Sequence, residues 1–293
     1  MMKYRKICNL DFDIPSESFV SYTYLGNQIN IQYNSKKNCS CPIIKINKDC
    51  YYSKKTNEIK YFNKTEKRIQ NKKSIFQSMN KLKNIVMLNT SKHPENALFI
   101  TLTYAENMKD QKRLYQDFRI FNQKLQRYIY KQKNCRAEYI AVTEPQERGA
   151  FHLHVIYIFP SKAPFIDNKI IEKLWEHGFT STKRLKNSDN IALYLSAYLC
   201  NLKPQDENTF INDTQKKSVI KGARLHFYPK GMRLYRVSRG IKKPEVETMQ
   251  RKKAEKILKE NNYVLKYEAT FKITEDDSYT NIINKKEYKK VKK

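Results

Sequence analysis

No run of apolar residues in this 293-residue chain approaches the roughly 20 needed for a helix to cross a bilayer. The opening Met1-Met2-Lys3-Tyr4-Arg5 leads into no secretory apolar stretch, so a cytoplasmic protein without membrane partners is expected. Cysteine is sparse and unframed. Cys8, Cys39, Cys41, Cys50, Cys135 and Cys200 are scattered, which argues against a disulfide scaffold and for free thiols in a reducing cell. Cys39, Cys41 and Cys50 are poorly spaced for a zinc set. Trp175 is the sole tryptophan, read as a packing residue, and no internal repeat is visible. Acidic residues are the most telling shortage: 29 stand against 58 basic ones, for a net charge of +29. That exceeds what solubility requires and favours a polyanionic partner, with steep salt dependence. Lysine richness also fits a coding bias toward AT-rich codons, but acidic residues have not risen to match. The 21 tyrosines offer rings on which unpaired bases can stack.

Against this background stands His152-Leu153-His154, set between Phe151 and Val155-Ile156-Tyr157-Ile158-Phe159. The run reads as a strand, so both imidazoles project from one face together with Ile156 and Ile158, while Phe151, Leu153, Val155 and Tyr157 line the other. Such a pair can hold a divalent cation, although a bare His-x-His is more often two histidines at a strand end. Glu144 lies eight residues upstream, closing the strand-like run Ala137 to Thr143. Pro145 to Ala150, with Gly149, reads as a turn. Folded as a hairpin, the two runs bring Glu144 opposite the histidines. Two imidazoles and one carboxylate leave positions open for phosphate oxygens and water, a set suited to Mg²⁺ or Mn²⁺.

Tyr194 and Tyr198, in Asn190-Ile191-Ala192-Leu193-Tyr194-Leu195-Ser196-Ala197-Tyr198-Leu199-Cys200, are four apart. On a helix capped by Ser188 or Asp189 they share one face, and both hydroxyls can visit a single site. Tyrosine can act as a covalent nucleophile, although a pair at helical spacing among leucines also reads as core packing. Upstream, Ala97-Leu98-Phe99-Ile100-Thr101-Leu102-Thr103-Tyr104 is strongly β-prone.

The chain divides into a basic N-terminal region (1–95), a central region (96–205) and a basic C-terminal region (206–293). The first region holds strand patches near Phe19 to Tyr24 and Ile29 to Tyr33 and a helix near Ser74 to Met87. The central region reads strand (Leu98 to Tyr104), helix (Lys109 to Lys131), hairpin (Ala137 to Phe159), helix (Asn168 to His177) and the tyrosine helix. Leu114, Phe118, Phe121, Leu125 and Tyr128 mark the core face of the first of these helices. Beyond it follow a loop (Pro204 to Lys217), a helix near Val246 to Glu260, a strand near Val264 to Thr274 and a basic tail ending Lys289-Lys290-Val291-Lys292-Lys293, read as solvated. His93, His177 and His226 lack partners at metal spacing. Arg233, Arg236 and Arg239 recur every three residues, as a phosphate-facing strip or an ordinary solvated surface.

Taken in order, Phe99 to Tyr104, His152-Leu153-His154 and the pair Tyr194 and Tyr198 resemble the three motifs of rolling-circle replication initiators of the HUH endonuclease superfamily. Within it, the likeness is to the initiators of gokushovirus-type microviruses, small single-stranded DNA bacteriophages. Tyr235-Arg236-Val237-Ser238-Arg239-Gly240-Ile241-Lys242-Lys243-Pro244 resembles a segment common in those phage proteins, so the likeness covers roughly 97 to 244. The chain departs from the pattern where a lysine usually stands three residues after each tyrosine: Ala197 and Asn201 occupy those places, leaving Lys203 or another lysine to supply the charge. It also has Cys39-Ser40-Cys41 and Cys50 in place of an N-terminal Cys-x-x-Cys.

The resemblance implies an α+β fold, a central antiparallel sheet with helices packed on it. It implies a metal held by His152, His154 and Glu144, and Tyr194 and Tyr198 as nucleophiles that nick and rejoin single-stranded DNA at an origin through a 5′-phosphotyrosine. A freed 3′-OH would prime synthesis by host helicase and polymerase in the bacterial cytoplasm. Two other readings stand beside it: a non-enzymatic single-stranded nucleic-acid-binding protein with incidental histidines, and an HUH transposase or relaxase using one tyrosine.

Overall fold

The computed structural model describes residues 4–8, 12–36, 43–54, 56–62, 72–185, 225–229, 231–275 and 279–291. The fold is α+β, with antiparallel sheets and, among the described residues, four α-helices. Contacts divide the chain into two compact units. One comprises 1–24, 28–65 and 245–293, and the other 25–27 and 66–244. This grouping does not follow the order 1–95, 96–205, 206–293, because strands from both ends of the sequence hydrogen-bond into one sheet.

The first unit is built on a six-stranded sheet in the order β1-β13-β14-β3-β2-β12, from β1 (Tyr4–Cys8), β2 (Phe19–Tyr24), β3 (Gln28–Asn34), β12 (Val246–Gln250), β13 (Tyr263–Glu275) and β14 (Tyr279–Lys290). Val20, Tyr22, Ile29, Ile31 and Met249 lie on one face and are buried with Ala254 and Leu258 of helix α4 (Arg251–Glu260). A three-stranded sheet of β4 (Ile43–Lys45), β5 (Cys50–Ser53) and β6 (Glu58–Tyr61) completes it. Two sequence expectations are corrected here. The segment from Val246 begins as a strand paired with β2, and the helix starts only at Arg251. The basic tail is also not a solvated end. Thr280 to Lys290 pair with β13 on one side while Ile283 to Lys289 pair with β3 on the other, so backbone pairing on both edges outweighs the lysine content.

The second unit carries the candidate site. Its five-stranded antiparallel sheet runs β10-β7-β9-β8-β11, from β7 (Ala97–Thr103), β8 (Glu138–Pro145), β9 (Phe151–Ile158), β10 (Thr180–Arg184) and β11 (Tyr235–Val237). The central strand β9 buries Leu153, Val155, Ile156 and Tyr157 regardless of face, hence its nearly unbroken apolar run. Helices α1 (Lys72–Thr90), α2 (Gln111–Lys133) and α3 (Asn168–Trp175) contribute the remaining core. Helix α2 begins where the Asp110 carboxylate accepts from the backbone N–H groups of Lys112 and Arg113, and ends at Asn134, which takes a left-handed conformation. It buries Leu114, Phe118, Phe121, Leu125 and Ile129. Ile129 thus takes the place expected for Tyr128, which packs half-buried beside it. Trp175 is buried, and its indole N–H donates to the Thr103 carbonyl at 3.0 Å.

Candidate metal centre

The hairpin of β8 and β9 fixes the site through its register. Glu144 pairs with His152 and Val142 with His154, while in the neighbouring β7 Thr103 pairs with His152 and Thr101 with His154. Directly paired residues share a face. Glu144, His152, His154, Thr101 and Thr103 therefore all project the same way.

The turn that sets this register is tightly held. Gly149 sits at φ +84°, its N–H donating to the Gln146 carbonyl at 2.9 Å, and Gln146 N–H donates to the Ala150 carbonyl at 2.7 Å. The Arg148 guanidinium reaches from the turn to the loop after β7. It donates to the Tyr104 carbonyl at 3.0 Å and lies 3.4 to 3.5 Å from those of Glu106 and Ala105. Phe151 N–H donates to the Met108 carbonyl at 2.8 Å.

At the centre, one carboxylate oxygen of Glu144 lies 3.0 Å from His152 Nε2 and 2.9 Å from His154 Nε2. All three donor atoms fall within 4.8 Å of one another, a group that could hold a metal ion. Glu144 and His154 are buried and His152 is nearly so. His154 is held from behind. Its Nδ1 lies 3.2 Å from the Thr101 hydroxyl, and its ring stacks on Phe99 with centroids 5.4 Å apart. Nδ1 of His152 is buried with no hydrogen-bond partner among the described residues.

Burial alone would raise the Glu144 carboxyl, but hydrogen bonds from both histidines, with their charge, outweigh it and hold the group at about 2. Burial lowers His154 below its ordinary value, only partly offset by Glu144. An ionised carboxylate beside a neutral imidazole is the protonation state metal binding needs, since each ligand must offer a lone pair. Two nitrogens and one oxygen on one side leave the remaining coordination positions open. The donor set therefore fits a divalent ion of the Mg²⁺, Mn²⁺ or Zn²⁺ class.

Tyr194, Tyr198, Ala197, Asn201 and Lys203 lie outside the described residues. His93 pairs with Glu95, and His177 stacks on Tyr104 near Asp117, so neither joins the site. Two supporting residues escaped the sequence reading. Thr101, which positions His154, lies in the β-prone run read only as a strand. Arg148 gave no signal beyond its place in a turn.

Residues 97–203 match the family described as Replication-associated protein ORF2. The matched stretch takes in β7 to β10, all three candidate ligands and both tyrosines. No curated protein and no solved structure matches the chain.

Proposed function

We propose that this chain is a rolling-circle replication initiator, an endonuclease and strand transferase that nicks and rejoins single-stranded DNA at an origin. The reading is carried by the buried Glu144, His152 and His154 cluster lying inside the stretch similar to a replication-associated family. Glu144, His152 and His154 would hold Mg²⁺ or Mn²⁺. That ion, when bound, supplies positive charge against the negative charge developing on the scissile phosphate.

The covalent step falls to Tyr194 or Tyr198. The phenolic oxygen attacks phosphorus, the Tyr O–P bond forms and the P–O3′ bond breaks. The phenolic proton is lost and one proton is taken up by the departing 3′ oxygen. The 5′ end stays on the protein, and the free 3′-OH is available to prime a host polymerase, with a host helicase opening the strand ahead. Because one phosphoester replaces another, the second tyrosine can cut a regenerated origin and the first adduct can be resolved to a closed circle without ATP. His154, fixed by Thr101 and Phe99, and Glu144, fixed between two imidazoles, are held in place before substrate arrives. On this reading the protein acts in the cytoplasm of a bacterial host. No helix among the described residues is long and apolar enough to cross a membrane.

The test is incubation of the full chain with Mn²⁺ and labelled single-stranded fragments tiling the genome that encodes it, followed by denaturing electrophoresis. A detergent-resistant protein–DNA adduct is expected, lost in His152→Ala and when Tyr194→Phe and Tyr198→Phe are combined. Binding without an adduct under several divalent metals would support the non-enzymatic reading and point to Ala197 and Asn201, where lysines usually stand.

A further inference from the structure

Arginine is the minority cation of this chain, 13 residues against 45 lysines. Three of the 13, Arg127, Arg136 and Arg239, nevertheless line one cavity of about 360 Å³, together with Tyr130, Tyr139 and Glu138. The volume falls within the range of small-molecule sites. None of the three guanidinium groups has an ion-pair partner among the described residues. Three cations thus face one carboxylate, and Glu138 already accepts the Gly240 N–H at 3.0 Å.

Each arginine is carried on backbone that is locked. Arg127 stands on α2. Arg136 lies in the connection to β8, where the Gln126 amide grips Ala137 at both its N–H and its carbonyl, at 3.2 and 2.6 Å. Arg239 sits in a turn pinned to the start of β8. Ser238 N–H donates to the Tyr139 carbonyl at 3.0 Å, and Tyr139 N–H donates to the Ser238 hydroxyl at 2.7 Å. The next residue is glycine, and a Cβ there would lie 2.5 Å from the Glu138 carboxylate and push it off the Gly240 N–H. The Ser238-Arg239-Gly240 segment is thereby explained as a device that presents one guanidinium at one place. Tyr130 is 55% exposed, an open aromatic ring at the mouth of a basic cavity.

Planar guanidinium forks match phosphate oxygens in pairs, and an exposed ring takes a stacked base of any sequence. We infer that this cavity is a second nucleic-acid subsite, holding a nucleotide of single-stranded DNA with its phosphate on Arg127, Arg136 and Arg239 and its base against Tyr130. It is remote from the metal centre. Glu138 and Glu144 stand at opposite ends of β8, six residues or about 20 Å apart. The nucleotide held here is therefore distinct from the one at the scissile phosphate, and the subsite anchors the strand while the other end is cut. The inference rests on the nucleic-acid part of the proposed function but not on its chemistry.

The experiment uses the full chain, a fluorescent oligothymidylate and a chelator, so that no cleavage intervenes, with anisotropy read across a salt series. Combined Arg127→Ala, Arg136→Ala and Arg239→Ala should weaken binding by about 10-fold or more and flatten the log–log salt slope by about 2, from about 0.7 per phosphate contact. The corresponding lysine triple should keep the slope yet bind more weakly than wild type. Tyr130→Ala should weaken binding by about 10-fold with the slope unchanged. As a charge control, exposed Lys162, Lys169 and Lys173 are changed to alanine together. If that control loses as much as the arginine triple, or if Tyr130→Ala binds like wild type, the subsite is refuted. Should the alanine triple fail to fold, the lysine triple and Tyr130→Ala decide the matter alone. Wild-type protein that binds no oligonucleotide would overturn the nucleic-acid reading as a whole. Binding without adduct formation would leave this subsite standing and remove only the nuclease.

Discussion

The Thr101 hydroxyl lies 3.2 Å from Nδ1 of His154, on the strand directly beside it, and so fixes the ring whose Nε2 faces Glu144. Outer partners of this kind orient metal ligands and typically change affinity by about 10- to 100-fold when removed. Thr101→Val keeps the shape and β-branching but removes the hydroxyl. It should lower Mn²⁺ affinity by about 10-fold by calorimetric titration while the protein stays folded. Unchanged affinity would mean that Phe99 stacking alone holds the ring.

Protonation of Glu144 should couple to stability in the metal-free protein. Its folded value of about 2 lies below the ordinary 4.5. A depressed carboxyl stabilises the fold fully above its unfolded value, and that contribution is lost as pH falls from about 4.5 toward 2. Thermal unfolding across that window, in chelator, should show wild type losing stability more steeply than Glu144→Gln, whose amide does not titrate. Parallel curves would show that the histidines do not hold the carboxylate as the geometry indicates.

Much of this site was legible because it is local. His152-Leu153-His154 alternates on one strand, and Glu144 comes opposite through a hairpin whose turn is marked by Gly149, so strand periodicity and one turn suffice to gather three ligands. Helix α2 was readable for the same reason, from an apolar stripe and a capping aspartate. Non-local pairing was not readable. Nothing in Val246 to Gln250 distinguishes a first helical turn from a strand until β2 is known to lie beside it. Thr101 reaches His154 across 53 residues of sequence. Tyr128 and Ile129 are adjacent on a stripe wide enough to bury either, and packing chose the isoleucine.

Gly178 illustrates a position that sequence alone would pass over. Its φ is +147°, and an added Cβ would meet the backbone N of Ala105 at 2.5 Å and the Thr103 carbonyl at 2.7 Å. Flanking bonds, Thr103 N–H to the Phe179 carbonyl and Ala105 N–H to that of His177, both at 2.9 Å, hold the two backbones together there. No flexible side chain can yield. Gly178→Ala should cost about 2 kcal/mol or more in urea unfolding, from strained backbone and forced separation of the end of β7 from its neighbour. A neutral substitution would show that the close approach is not maintained.

The strongest departure from the sequence reading carries its own test. A basic tail binding phosphate from solution could be removed at little cost to the fold, whereas β14 is an interior strand. Asn284 is buried, donating to Glu268 at 2.8 Å and to the Thr270 hydroxyl at 2.9 Å, and Lys286 pairs with Glu268 at 3.0 Å. Deleting residues 276–293 would strip hydrogen-bond partners from both β13 and β3 and open the face that packs on α4. Loss of β-sheet signal in circular dichroism and rapid proteolysis within residues 12–36 are expected, whereas removing only Lys292 and Lys293 should change neither. Asn284→Leu is the milder form of the same test. It leaves the Thr270 hydroxyl without its buried donor and should destabilise by about 1 to 3 kcal/mol. A deletion that left the sheet intact would return this segment to the status of a solvated end.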